Sequence, residues 1–333
     1  LETMGDIDRQ SIAGATQTGT HGTGHAFTGL AGTVRALKLA LADGSIVSCS
    51  ADRNPELFHA ARLSLGTLGV VLEVTIQAVP RYALAMTETT APIEETASAF
   101  LHTSTEADHQ EFFHFLGTDR ATVRTTSRVP ADTPVTRRSA PVELLHRELL
   151  GNGAFELMCR AAVLIPPLSG PVAEVASRAF AGPPVTDDSA RVYVAPRRVR
   201  FHESEWALPA EHFEEAFAAL RRRIREERIR VTFPVEVRRV AADDVWLSTA
   251  YGRDTVYIAA HRYHRERPDP YLLLVQRTLE PFAARPHWGK KHWLDAPALR
   301  DLYPRFEDHA AVRRTADPGG LFMTPYLRHI LGP

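Results

Sequence analysis

The stretch Gly5–Phe27, GDIDRQSIAGATQTGTHGTGHAF, stands near the front of the 333-residue chain and sets Gly14, Gly19, Gly22 and Gly24 among small hydroxyl residues. Glycine permits positive φ and lets a ligand approach the main chain closely. Consecutive backbone N–H groups in such a run form a concave site for an anion, usually a phosphate, and serine and threonine hydroxyls add uncharged donors. Composition alone leaves two interpretations open, a phosphate cradle or an ordinary glycine-rich connector.

Several other kinds of site find no support in the sequence. No lysine follows the glycines as it does in a P-loop, and Gly22-Thr23-Gly24 does not continue to the third glycine of a Rossmann fingerprint. A hydrolase interpretation lacks a Gly-x-Ser-x-Gly elbow. His21 and His25 are separated by glycines that rule out a stable helix, and no Cys/His spacing supplies the three or four ligands of a zinc site. We therefore predict no metal.

The composition indicates a globular protein long enough for two domains with proper cores. Charged residues make up 24% and apolar residues 44% of the chain, and the net charge of −1 gives no general attraction to nucleic acid or anionic membranes. The two cysteines lie far apart and suggest no disulfide framework. No apolar run approaches the roughly 20 residues that span a bilayer. We expect a cytoplasmic protein with neither a nucleic-acid partner nor a membrane span.

A family resemblance runs through the chain in one consistent order. Ser11–Gly24 resembles the second pyrophosphate-binding segment of flavoproteins in the vanillyl-alcohol-oxidase superfamily, most closely the branch of sugar-1,4-lactone and alditol oxidoreductases. Glu56–Val74 resembles the next conserved stretch of that branch. Its C-terminal signatures resemble Glu236-Val-Arg238, Pro286–Lys290 and Asp317–Phe322.

The resemblance implies an α+β fold and FAD as the cofactor. Residues 1–80 would be the C-terminal half of a PCMH-type FAD-binding domain, and residues 81–333 an α+β substrate domain with a large antiparallel sheet, whose last residues pack back on the FAD domain. In the family, a subdomain with a Gly-x-Gly-His-Ser type loop precedes this point, and nothing here matches that loop. We expect either a fragment or a partner polypeptide that supplies the other half.

Local patterns predict the elements of the first part. Two β-rich runs around Asp43-Gly44 predict a hairpin of Val34–Leu41 and Ile46–Cys49. Asn54 as N-cap and Pro55 in the first turn predict a short helix. A strand over Val70–Val79 follows.

The second part is predicted to alternate between strands and helices. Pro209–Glu227 is the clearest helix, with apolar residues at spacings of three and four and a solvated arginine face. Further helical stretches reach about Phe180, with a break at Pro166-Pro167, after a loop over Thr133–Ser139. The other predicted helices are Pro270–Ala284, Ala296–Tyr303 and a last piece after Phe322, and the predicted strands are Glu111–Phe115, Ala121–Ser127, Arg191–Val194, Val199–His202, Val231–Val240 and Thr255–Tyr263.

Three charged residues are the candidate catalytic groups. Glu236 and Arg238 are two apart on a predicted strand and therefore project from one face. From the residues alone, a partly buried ion pair on a sheet is the competing interpretation. The resemblance implies that this pair holds the substrate hydroxyls against the flavin ring. It also implies that Lys290 points at the flavin pyrimidine edge, where a fixed cation stabilises the charge of a reduced flavin.

The resemblance also indicates substrate and cofactor contacts. In alditol oxidase, a threonine matching Tyr263 and a serine matching Asp6 contact the polyol, and here the bulkier and acidic residues favour a ring substrate such as a 1,4-lactone. His261 shares the predicted strand with Tyr263 and joins it as a substrate-binding candidate. The residues expected along the FAD pyrophosphate, together with one near the adenine, are Ser11, Gly14, Thr18, Gly19, Thr20, His21 and Val71.

The activity implied is FAD-dependent oxidation of a secondary alcohol of a D-arabinono-, L-gulono- or L-galactono-1,4-lactone, with hydride transfer to flavin N5. The electron acceptor would be O2 or a redox protein. Two alternatives stay open: an alditol oxidase acting on xylitol or sorbitol, and a truncated remnant without flavin.

Overall fold

Two antiparallel sheets organise the computed structural model, which describes residues 1–136, 152–179, 181–194 and 198–333. The smaller sheet has the order β2-β1-β3 and the larger the order β11-β8-β10-β9-β5-β6-β4-β7. The strands are β1 (Val34–Ala40), β2 (Ile46–Ser50), β3 (Val70–Ile76), β4 (Ala83–Pro92), β5 (His109–Phe115), β6 (Arg120–Val129), β7 (Val185–Asp188), β8 (Phe201–Pro209), β9 (Pro234–Val240), β10 (Thr255–Tyr263) and β11 (Arg285–Pro286). The mixed architecture and the large antiparallel sheet confirm the predicted fold class.

The helices connect and cover these sheets. The described α-helices are α1 (Ile12–Gln17), α2 (Pro55–Ala61), α3 (Ile93–Thr103), α4 (Phe155–Leu164), α5 (Ser169–Ala179), α6 (Ser189–Tyr193), α7 (Phe213–Glu226), α8 (Asp269–Leu279), α9 (Ala296–Leu302), α10 (Phe306–Ala316) and α11 (Pro325–Leu331). Within the described ranges, no helix combines the length and apolar character needed to cross a bilayer.

The smaller sheet lies within the first eighty residues, and the hairpin predicted around Asp43-Gly44 is confirmed. The helix predicted after it is confirmed as α2, but the predicted cap is wrong. Asn54 has φ of 50° and makes no side-chain cap bond. Its amide instead donates to the Ser48 carbonyl at 3.0 Å, which ties the helix entry to β2.

The large sheet separates an apolar face from a polar one. Phe112, Trp206, Val237 and Ile258 are fully buried in one cluster with side chains of α3, α7 and α8. Burial of a side chain of this size contributes about 1.5–3 kcal/mol each, so this layer is the main core. Residues of the alternate parity project to the opposite face, because successive side chains on a strand alternate.

The stretch from Gly5 to Phe27 packs against the large sheet rather than projecting into solvent. Gly24 N–H donates to the Arg239 carbonyl at 2.7 Å, and Ala241 N–H donates to the Phe27 carbonyl at 2.9 Å. Gly24 has φ of +136°. The front of the chain therefore continues alongside the end of β9.

Other secondary-structure predictions differ from the structure in identifiable ways. Arg191–Val194 was expected to be a strand but lies in and just beyond α6, because the Asp188 side chain caps that helix by accepting from Ala190 N–H at 3.3 Å. The glycine-rich stretch contains α1, which is N-capped by Ser11. The predicted loop Thr133–Ser139 and the start of the following helical stretch fall partly outside the described residues.

The arginine face of α7 is mostly solvated, as predicted. Arg222 and Arg223 are exposed and lie 3.9 Å from Glu226 oxygens. Arg221 is the exception: it is buried and forms a two-bond pair with Glu94, with both bonds at 2.9 Å.

The end of the chain packs against its beginning. A buried apolar cluster joins Ile330 and Leu331 of α11 to Ala31 and Leu63, with Trp288 in the same cluster. This contact brings the His287–Lys290 turn close to the glycine-rich stretch.

Candidate functional site

The polar face of β8, β9 and β10 carries the candidate site. Ala259 of β10 lies opposite both Glu205 of β8 and Glu236 of β9. Tyr257 lies opposite Arg238, which in turn lies opposite Glu111 of β5. Because residues paired across an antiparallel sheet project to the same side, these acids and the arginine face one region.

Glu236 and Arg238 form the buried pair expected from their spacing. Arg238 Nη2 lies 2.5 Å and Nε 3.0 Å from Glu236 Oε1, and the two residues are only 8% and 4% exposed. Arg238 also contacts Glu111 at 3.2 Å and Asp6 at 3.6 Å. Burial alone would lower the pKa of Arg238, but Glu236, Asp6 and Glu111 raise it well above its ordinary value. The guanidinium is therefore a fixed cation.

The ion pairs continue across the sheet beyond Arg238. Glu111 accepts from Arg124 Nη1 at 2.8 Å, and Arg124 also binds Glu88 at 2.7 Å. An unpaired buried charge is costly, and here each buried charge lies next to one of opposite sign.

Lys290 is held by Glu203, a residue that the sequence did not single out. The Lys290 ammonium contacts Glu203 Oε2, and Nε2 of His261 lies 3.5 Å from Glu203 Oε1. Burial would raise the pKa of Glu203, but Lys290 and His261 lower it to about 2. Burial would lower the pKa of Lys290, yet Glu203 raises it. Lys290 and His261 thus both contact the carboxylate of Glu203.

A second histidine–carboxylate pair lies two residues along β8. His21 Nε2 is 3.3 Å from Glu205 Oε1, and the His21 ring stacks on Tyr257 with centroids 3.6 Å apart. The His287 ring lies 5.6 Å from the His21 ring. The same packing that joins the chain ends therefore brings His21, from the glycine-rich stretch, to the sheet.

His21, Glu205 and His287 are also metal-ligand types, with potential ligand atoms within 4.8 Å of one another. Their hydrogen bonds oppose that use. His287 Nδ1 accepts from Gly289 N–H at 3.0 Å, and burial lowers the pKa of His287 to about 4, so the ring is neutral with its proton on Nε2. The Nδ1 lone pair is engaged and Nε2 carries a proton, which favours a hydrogen-bonded cluster over a metal site.

The glycine-rich stretch directly contacts the His287–Lys290 turn. A Cβ built on Gly289 would lie 3.6 Å from Thr18 Cβ, and one built on Gly19 would lie 3.9 Å from Trp288 Cδ1. Lys290 follows Gly289, and Arg238 lies near enough to act against the raised pKa of Lys290. The lysine, the Arg238 pair and the expected phosphate loop therefore meet in one region.

The residues expected along the pyrophosphate lie on and after α1. Ser11 Oγ accepts from Gly14 N–H at 3.1 Å, Thr18 Oγ1 donates to the Gly14 carbonyl at 2.9 Å, and Thr20 Oγ1 donates to Gln10 Oε1 at 3.1 Å. Ser11 and Gly14 are exposed. They form an open surface of small residues with uncharged donors.

Two of the predicted site residues lie apart from this cluster. Tyr263 is fully buried at the end of β10, and its hydroxyl donates to Glu156 at 2.6 Å. Val71 pairs with Leu39 in the smaller sheet and is partly buried. The structure therefore brings His261, not Tyr263, to the carboxylate that holds Lys290.

A pocket opens beside Asp6 and Arg238, between the front of the chain, α6 and the polar face of the sheet. Burial lowers the pKa of His109 in its wall and keeps this ring neutral. Two carboxylates and two guanidinium groups line the pocket, so its formal charges cancel. The lining residues are Met4, Asp6, Gly22, Thr23, Met86, His109, Glu111, Arg124, Thr126, Val192, Tyr193 and Arg238.

Sequence reasoning missed Glu203, Glu205, Glu111 and Arg124. The two glutamates of β8 stand two residues apart, a spacing visible in the sequence that places both on one face of a strand. Both glutamates lie beyond the predicted strand, which ends at His202, whereas β8 runs to Pro209.

Comparisons with known proteins concern the family of the chain. The family model described as "ALO: D-arabinono-1,4-lactone oxidase" matches residues 74–330. The chain is 38% identical over 336 residues to the L-gulono-1,4-lactone dehydrogenase of Mycobacterium tuberculosis, covering all of this chain and 76% of that protein. It is 33% identical to the alditol oxidase of a Streptomyces species, covering 99% of this chain and 75% of that protein.

Solved structures give the same fold. The crystal structure of cholesterol oxidase from B. sterolicum superposes with a TM-score of 0.81 at 16% identity, covering 99% of this chain and 76% of that one. At this identity the likeness concerns the fold alone.

Proposed function

Because the chain belongs to the D-arabinono-1,4-lactone oxidase family, we propose that it oxidises a secondary alcohol of an aldono-1,4-lactone. At the level of the family, the activity is FAD-linked oxidation of CH–OH groups in sugar lactones or alditols. The observation that best supports the proposal is the convergence of Arg238, Glu236 and Lys290 on one sheet face beside the glycine-rich stretch.

The residues at the front of the chain suit an FAD diphosphate. A Cβ at Gly14 would meet only Ser11 Oγ within 4 Å, at 3.2 Å, so the missing side chain leaves the backbone accessible. Ser11, Gly14 and Thr18 to His21 would hold the diphosphate, with Val71 toward the adenine. FAD, when bound, supplies the acceptor for the hydride that leaves the substrate carbon.

The chain's own charges then position the substrate. We assign Glu236 and Arg238 to the substrate hydroxyls, because a carboxylate accepts and a guanidinium donates in fixed directions. Lys290 is assigned to the oxygen on which negative charge develops, and Glu203 keeps its ammonium in place. His261 lies beside this carboxylate and contributes to the same wall. Fixed geometry of this kind can supply several kcal/mol of the barrier.

The pocket beside Asp6 supports a neutral, polyhydroxylated substrate. Its acidic and basic side chains cancel, so neither an anion nor a cation is favoured as a whole, while donors and acceptors suit several hydroxyls. We therefore favour the lactone over its ring-opened aldonate. We further propose a boundary near residue 80 between the cofactor and substrate domains, and O2 or a redox protein as the electron acceptor.

The test begins with FAD reconstitution and a substrate panel. L-gulono-, L-galactono- and D-arabinono-1,4-lactone are compared with xylitol and sorbitol by kcat/KM. Turnover of a lactone at least about tenfold above the polyols supports the proposal. Preference for xylitol or sorbitol would instead support the alditol oxidase alternative. The 33% identity to an alditol oxidase is the reason to test it.

A flavin spectrum separates a failed function from a failed cofactor site. If the protein stays colourless after incubation with FAD, the proposed cofactor site is wrong for this chain. If it binds FAD but oxidises neither class of substrate, the substrate assignment is wrong.

A further inference from the structure

A second concave site lies at the far end of β8 and β10. Its lining comes from three segments: the residues before α4, the residues before β8 and the residues after β10. The lining residues are Asn152, Gly153, Glu156, Arg160, Arg198, Val199, Arg200, His264 and Arg265. We call it the arginine cleft.

The sheet fixes the position of this cleft. Tyr263, the last residue of β10, pairs with Phe201, the first residue of β8. His264 N–H then donates to the Arg200 carbonyl at 3.1 Å. The arginines that flank the strand ends are therefore held side by side by backbone hydrogen bonds, not by a mobile loop.

The charges of the cleft are strongly unbalanced. Among the lining residues that the structure describes, four arginines face one glutamate, in a chain whose net charge is −1. The glutamate is already engaged, because Glu156 accepts from the Tyr263 hydroxyl at 2.6 Å and from Arg160 Nε at 2.8 Å. Neither Arg200 nor Arg265, both exposed, forms an ion pair with any part of the chain that the structure describes.

Clustered guanidinium groups repel one another, and a cleft lined by one sign of charge concentrates ions of the opposite sign. The guanidinium fork matches the oxygens of a phosphate and binds it with two parallel hydrogen bonds.

We propose that the arginine cleft binds a phosphate-bearing anion with two or more negative charges, such as a diphosphate. A neutral lactone or polyol offers no charge to Arg200 and Arg265, so this site is distinct from the pocket beside Asp6. Inorganic diphosphate and a nucleoside diphosphate present the same diphosphate group to this site. The experiment below distinguishes between these two ligands.

Isothermal titration calorimetry on the full chain tests the proposal with inorganic diphosphate, ADP and citrate. We expect diphosphate to bind in the micromolar range at low salt, with affinity falling about tenfold as NaCl rises from about 50 to 300 mM. Citrate, of similar charge but with carboxylates, should bind at least about tenfold more weakly if phosphate geometry matters. ADP binding that is tighter than diphosphate binding and is weakened by R200A/R265A would identify a nucleotide as the source, and equal binding would identify the free anion.

The variant R200A/R265A should weaken diphosphate binding by about tenfold or more, since it removes the two unpaired guanidinium groups. The matched control R222A/R225A removes the same charge from the exposed face of α7 and should change binding less than twofold. The variant R265K keeps the charge and the fold but loses the fork, and should weaken binding severalfold.

Three results would overturn the proposal. The first is no measurable diphosphate binding at low salt. The second is an equal loss in the cleft variant and the control, which would indicate general charge attraction. The third is binding that R200A/R265A leaves unchanged, which would place the anion elsewhere, including at the glycine-rich stretch.

Discussion

Replacing Glu203 by glutamine should destabilise the protein and also remove the ion pair that holds the Lys290 ammonium in place. Burial would raise the pKa of Glu203, but Lys290 and His261 lower it from 4.5 to about 2. A lowering of this size corresponds to about 3 kcal/mol of folding free energy. Loss of one partner from a buried ion pair costs about 3–5 kcal/mol, and the Lys290 side chain is 29% exposed, so the lower end applies.

The pH dependence gives this prediction a definite sign. The folded pKa of Glu203 lies below its unfolded value, so its stabilisation is present above about pH 4.5 and is lost as the pH falls toward 2. Urea unfolding at pH 7 should show E203Q less stable than the wild type by about 3 kcal/mol, and by less than about half of that near pH 3.

A matched control makes the result interpretable. Glu215 is an exposed residue of α7, and E215Q should change stability by less than about 0.5 kcal/mol. If E203Q is as stable as E215Q at pH 7, or if its deficit does not shrink on acidification, the proposed charge coupling between Glu203, Lys290 and His261 is wrong.

Three further predictions concern the site and the packing of the front stretch. In the FAD-loaded enzyme, E236Q should lower kcat by about 100-fold while the flavin absorbance is kept, and an unchanged kcat would remove Glu236 from the mechanism. The pKa of His261 is raised because Glu203 and Glu236 outweigh burial. The stabilisation that charged His261 contributes is therefore fully present below about pH 6.5 and is lost at higher pH. The difference in unfolding free energy between wild type and H261Q should narrow between about pH 6 and 9. A difference that does not change with pH would contradict this prediction. G24A should lower the free energy of unfolding by about 3 kcal/mol, because φ is +136° and its Cβ would lie 2.6 Å from the Asp108 carbonyl oxygen. G44A, with φ of +82° and no heavy atom within 4 Å of the added Cβ, should lower it by about 1 kcal/mol. Equal losses of stability by thermal unfolding would contradict the packing argument.

The sequence predicted local elements well where one physical signal dominated. The Asp43-Gly44 hairpin, the amphipathic helix α7 and the strand β10 all follow from turn chemistry or periodicity within a short window. The spacing of Glu236 and Arg238 likewise predicted their shared face, because that is a local property of a strand.

The partners of those residues could not be predicted in the same way. Glu111 is 127 residues from Arg238, and Glu203 is 87 residues from Lys290. No local rule joins positions so distant, and the order of strands that makes them neighbours is set by tertiary packing. Tyr263 shows the converse: alternation placed it with His261, but the end of β10 buries its ring and commits its hydroxyl to Glu156.

Two glycines of the front stretch are required for different reasons. Gly22 allows two chain segments to pack closely, and Gly14 keeps an exposed surface open. Variants at the two positions must therefore be interpreted differently. A Cβ at Gly22 would lie 2.2 Å from Thr3 Oγ1, so this glycine is required for two segments of the chain to pack together. A Cβ at Gly14 would meet only Ser11 Oγ, at 3.2 Å, on an exposed surface. Loss of flavin in a Gly22 variant would therefore follow from misfolding and would say nothing about contact. Only a substitution at Gly14 that leaves the unfolding transition unchanged can report on the cofactor, because there the one close neighbour of an added Cβ is the Ser11 hydroxyl on an exposed surface.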